Sequence, residues 1–148
     1  NDAREYLTDR LSKGDGKTTN VYYLPDADQP AITNYFEEQY KQGEDVPKTK
    51  VKNGKEEPNP YYGDGKIIDI YSIVGSSCVT KTCNAIDASK GLKGTNAQNA
   101  LDAGALLPQS MGAILNTASD NNNVKNDPNS KGKVQNVTTK IKTQYGVE

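Results

Sequence analysis

The sequence predicts an α+β fold: helices packed on one side of a small, mainly antiparallel sheet, joined by long polar loops. Segments with apolar residues at three- and four-residue steps alternate with short β-branched runs. That alternation is too irregular for a doubly wound α/β sheet. Hydrophobic residues make up only 33% of the chain, and its 15 asparagines fall largely in turn-like runs, so the framework is modest and the loops are long. At 148 residues the chain fits one domain, 1–148, with a single small core. Nine tyrosines, one Phe, one Met and no Trp leave that core to Ile, Val, Leu, Ala and Tyr.

Residues 2–12 read as a short amphipathic helix, with Ala3, Tyr6, Leu7 and Leu11 on one face and Asn1 as cap. Residues 20–24 suit a strand that Pro25 stops. A second helix begins at the N-cap Asp28, tolerates Pro30 in its first turn, and ends at Gly43. Ile32, Tyr35, Phe36 and Tyr40 give it an apolar face. Asn53-Gly54, set among Lys48, Lys50, Lys52 and Lys55, predicts a lysine-guarded hairpin or edge loop.

Residues 66–74 are the most apolar stretch and predict a central strand. Thr95-Asn96-Ala97-Gln98 has the form of a capping box and opens a small-residue helix that Pro108 breaks or restarts. Met111, Ile114, Leu115 and Ala118 then continue an apolar face. The expected core is residues 67–74 covered by helices around 32–40 and 97–118. Residues 119–132 hold no apolar side chain except Val124 and predict a long surface loop. The last segment, with Val134, Val137, Ile141 and Tyr145 at helical spacing, is read as helix over strand.

Composition excludes more chemistry than it suggests. The chain has no histidine, which removes imidazole acid/base catalysis, Ser-His-Asp and Cys-His nucleophiles, and imidazole zinc sites. A net charge of −1 lacks the basic surplus of a nucleic-acid binder, so no nucleic-acid partner is expected. No apolar run approaches the roughly eighteen residues of a membrane span. The chain opens on Asn1 rather than Met, so the expectation is a processed form or an excised fragment, with any membrane anchor outside these residues.

Cys78 and Cys83 form a C-x4-C pair, which is neither a four-ligand zinc site nor the redox C-x-x-C. A short-range disulfide is the leading expectation, bracing the exit from the central strand and implying an oxidising compartment. Reduced, partly buried thiols are the alternative.

The remaining polar clusters suit plainer roles as well as chemical ones. Gly-Asp-Gly-Lys at 14–17 and 63–66 lacks P-loop spacing and reads as turn chemistry. Asp26 with Asp28, or Glu37 with Glu38, could serve glycosidic acid/base work, but neighbours on a helix do not face one another. Asp120, Asn122, Asn123, Asn126 and Asp127 offer oxygen ligands that suit calcium, yet the loop order breaks at Val124 and favours a polar loop. No cofactor is expected. Asn136-Val137-Thr138 satisfies the glycosylation sequon. Tyr61 and Tyr62, between Pro60 and Gly63, form a possible interaction surface against a reading as core or rim packing.

An N-terminal helix, glycine-rich connection, strands and late cysteine loop are loosely similar to the soluble portion of a type IV pilin-like subunit, though no motif carries the likeness. The reading is a non-enzymatic structural or adhesive subunit of a surface appendage or secretion assembly, at the cell surface, outside the cell or in the periplasm. Its partners would be other proteins or copies of itself. The alternative is a monomeric secreted or periplasmic binding module or a small carboxylate-dependent enzyme.

Overall fold

The computed structural model describes residues 2–13, 19–63, 65–67, 78–104, 107–120 and 125–147. Along the chain these form α1 (Asp2–Ser12), β1 (Tyr22–Tyr23), α2 (Gln29–Gln42), β2 (Glu44–Asp45), β3 (Thr49–Lys52), β4 (Lys55–Pro58) and β5 (Lys66–Ile67). There follow α3 (Cys78–Ser89), α4 (Asn96–Asp102), α5 (Pro108–Ser119), β6 (Gln135–Asn136) and α6 (Thr138–Tyr145). A 3-10 turn, Pro128–Ser130, lies between α5 and β6. The class is α+β. Strand pairing among the described residues is antiparallel and divided among three two-stranded ribbons, β1–β6, β2–β5 and β3–β4.

Local signals set most element boundaries. Asn53 and Gly54 both take positive φ, 53° and 75°, the pattern of a type I′ turn, and Lys52 pairs with Lys55 across it. Pro108 occupies the first turn of α5, where its missing N–H costs no helical bond. Gly43 ends α2 with φ −72°, so it is not needed for a left-handed cap. A Cβ there would meet Ile67 O and Lys66 Cβ at 3.0 Å, and close approach of β5 explains the glycine.

The core lies among α3, α4, α5 and the segment before β6. Val79, Leu92, Ala97, Leu101, Leu115, Ala118 and Val134 form one buried cluster, with Tyr22, Leu24, Ile86, Met111 and Ile114 packed around it. The helices expected at 97–118 therefore supply core, with alanines that permit close approach of α4 and α5. The helix expected at 32–40 forms as α2 but has no buried residue. Of the expected central strand, Lys66 and Ile67 make β5, and residues 68–74 lie outside the described residues.

A polar turn sits at the centre. Leu92 and Thr95 are 0% exposed. The Thr95 hydroxyl donates to Leu92 O at 2.6 Å and accepts from Gln98 N–H at 3.1 Å, capping α4. Only this forward half of the capping box is made. The Gln98 side chain donates to Asp102 Oδ1 at 2.9 Å instead of reaching back, and the Thr95 N–H goes to Leu92 O.

The 119–132 stretch is tied down at its far end. Asp127, 4% exposed, accepts from Asn96 N–H at 2.9 Å through Oδ2, and Asn129 Nδ2 donates to Gly94 O at 3.2 Å. The chain end combines a strand and a helix. Val137 N–H donates to Val21 O, and Val21 N–H to Thr138 Oγ1, both at 2.9 Å, before α6 turns back toward α1.

Leu92→Ala is expected to lower unfolding free energy by about 2–5 kcal/mol and Thr95→Ala by about 1–2 kcal/mol. Val51→Ala, at an exposed hairpin position, should change it by less than about 0.5 kcal/mol. Urea denaturation followed by far-UV circular dichroism measures all three.

Candidate interaction surface

The Tyr61-Tyr62 turn is built by Asn59. Its side-chain Oδ1 accepts from Tyr61 N–H at 3.1 Å and its carbonyl accepts from Tyr62 N–H at 3.1 Å, an Asx turn that Pro60 suits. Gly65 N–H then donates to Tyr61 O at 2.9 Å. Both rings face solvent, Tyr61 at 71% exposure and Tyr62 at 53%. The Lys48 ammonium lies 5.8 Å from the Tyr62 ring centroid. Tyr61 and Tyr62 are thus surface residues and not core.

Gly65 leads into Lys66, whose ammonium pairs with Asp45 and lies 5.9 Å from the Tyr40 ring centroid. The hydrogen bond to Asp45, reinforced by its charge and opposed by partial desolvation, raises the Lys66 pKa above its ordinary value. Tyr40, Phe36 and Ile67 are exposed beside it. Phe36 meets Tyr35 edge to face at 5.2 Å. Ile32, Thr33, Phe36, Glu37, Tyr40 and Lys41 line a shallow cleft of about 500 Å³ along α2.

The opposite side of α2 is the packed one. Lys81 Nζ donates to Gln39 Oε1 at 2.6 Å near one end, and Asp28 N–H to Ser89 O at 3.0 Å near the other, so α2 and α3 run antiparallel. Phe36 and Tyr40, read from periodicity as core-facing, stand on the outer side. Thr33, Glu37 and Lys41 share their cleft.

The expected Cys78–Cys83 disulfide is not formed in this structure. Both residues lie on α3 and both are free thiols. Five residues of helix separate them by about 7.5 Å along the axis and about 140° around it, beyond disulfide reach without unwinding the first turn. Cys78 is exposed, whereas Cys83 is partly buried. Burial first, then the negative charge of Asp102, pushes the Cys83 thiol above its ordinary pKa.

The remaining candidates are dispersed. Asp127 of the calcium loop is committed to the start of α4, and Asn122 and Asn123 lie outside the described residues. Among the described residues no three His, Cys, Asp or Glu side chains cluster as a metal site. Asp26 pairs with Lys133 and Glu38 with Lys41. Residues 14–17 and Asp64 of the Gly-Asp-Gly-Lys turns also fall outside the described residues. A second cleft of about 300 Å³, between α4 and α5, is lined by Asn96, Ala97, Ala100, Ala113, Ile114, Thr117 and Ala118, none of them titratable. No helix among the described residues is long and apolar enough to cross a membrane.

Compared with protein-family models, curated proteins and solved structures, the chain matches none.

Iodoacetamide should alkylate Cys78 well before Cys83, and Cys83 labelling should keep rising with pH above the range of an ordinary thiol, because its raised pKa leaves less thiolate at a given pH. Intact mass before and after reduction should be equal; a loss of two hydrogens in the unreduced protein would restore the clip.

Proposed function

We propose that this chain is a non-enzymatic structural or adhesive subunit of an extracytoplasmic assembly, and that it associates with copies of itself through the aromatic strip on α2 and the Tyr61-Tyr62 turn. The observation that carries this reading is the exposure of Phe36, Tyr40, Tyr61 and Tyr62 around the Lys66–Asp45 pair. Tyrosine and phenylalanine give large contact area for few rotatable bonds, and such residues dominate binding energy at protein interfaces. The charged pair within the strip supplies direction to the contact. The absence of histidine supports a non-catalytic role.

The extracytoplasmic assignment rests on the polar, asparagine-rich composition, since free thiols on one helix supply no argument for an oxidising compartment.

Analytical ultracentrifugation across a concentration series tests the association. The native chain should self-associate, and the Phe36→Ser/Tyr61→Ser variant should associate about 10- to 100-fold more weakly while keeping its melting temperature within about 2 °C. A native chain that stays monomeric at every concentration overturns the reading.

A further inference from the structure

We propose that the outer edge of β3 is a docking edge for an extended acidic peptide, whose alternate carboxylates lie across from Lys48, Lys50 and Lys52. The register of the hairpin dictates this geometry. Lys52 pairs with Lys55 and Lys50 with Glu57, and Asn59 N–H donates to Lys48 O at 2.9 Å. Beside a two-residue turn, these are the positions whose backbone groups bond inward. The N–H and C=O groups of Thr49 and Val51 therefore point away from β4. Among the described residues β3 pairs with no other strand on that side. Val51 is 76% exposed, and the whole of β3 faces solvent.

Strand alternation places Lys48, Lys50 and Lys52 on one face, at steps of about 6.7 Å. None of the three forms an ion pair among the described residues. Glu56, which could have neutralised them, is on the other face, where it accepts from the Thr49 hydroxyl at 2.7 Å. An added strand has the same period as β3, so carboxylates at every second residue meet one lysine each while its backbone bonds to Thr49 and Val51. Self-pairing of two β3 edges would set lysine against lysine and is disfavoured. The β4 edge is blunted by Pro58, which has no N–H to offer. Glu57 sits on the lysine face opposite Lys50, which favours a narrow strand laid along β3 over a broad anionic surface such as a membrane. This edge requires only the monomer, and it borders the aromatic surface at Lys48, whose ammonium lies 5.8 Å from the Tyr62 ring centroid.

The test uses a labelled peptide Glu-Thr-Glu-Val-Glu-Thr-Glu and a block control of the same composition, Glu-Glu-Glu-Glu-Thr-Val-Thr, titrated against the full chain by fluorescence anisotropy in low salt. Saturable binding of the alternating peptide, with shifts of the Thr49 and Val51 amide resonances, is expected. The Lys50→Glu/Lys52→Glu variant should bind about tenfold more weakly, as two favourable cross-strand pairs become repulsive. Val51→Pro keeps every lysine and every inward bond but removes one outward donor, and should also weaken binding several-fold. Several outcomes overturn the proposal: no saturable binding, equal binding of the block control, an unaffected Val51→Pro variant, or tighter binding of heparin, single-stranded DNA or anionic vesicles than of the alternating peptide.

Discussion

The rest of the structure depends on the hydrogen-bonded turn between α3 and α4. Ser89, Leu92 and Thr95 are almost wholly removed from solvent, and two of the three are polar. Burying hydroxyls without partners would destabilise the chain, so each is bonded: Ser89 Oγ donates to Ile86 O and accepts from Gly91 N–H, and Thr95 Oγ1 links Leu92 to Gln98. Two distant segments converge on this turn, the start of α2 and the 127–129 stretch. The start of α2 bonds to Ser89, Asp127 to Asn96, and Asn129 to Gly94. A chain with few large apolar residues thus organises its centre around hydrogen-bonded hydroxyls, with Leu92 as the apolar anchor among them.

This explains which parts of the fold were legible. Signals acting over two to four residues were read directly: the Asn53-Gly54 turn, the Thr95 cap, the restart at Pro108, and helix α1 over residues 2–12. Contacts joining distant segments were not. Asp127 resembles any polar loop residue until the fold carries it to Asn96, 31 positions earlier. The C-x4-C spacing suggests a clipped loop at the exit of the central strand, yet the segment is helical, with Val79 and Ala85 of α3 packed in the interior.

The candidate surface was half legible for a related reason. Tyr61 and Tyr62 lie between Pro60 and Gly63, a setting that signals a turn and hence exposure. Phe36 and Tyr40 lie on an amphipathic helix, and amphipathicity does not distinguish a face that meets the core from one that meets solvent or a partner. Only the antiparallel seating of α2 on α3, through Gln39–Lys81 and Asp28–Ser89, decides which side is left outside.

The β1–β6 ribbon has a consequence for how the protein is made. Tyr22 and Tyr23 find their strand partners at Asn136 and Gln135. During synthesis at roughly 5–20 residues per second, β1 waits on the order of ten seconds before its partner strand exists. The α3–α4 turn, whose Ser89 and Thr95 bonds are local, can close well before then. Birth order on the ribosome therefore favours the middle of the molecule first and the joining of its two ends last.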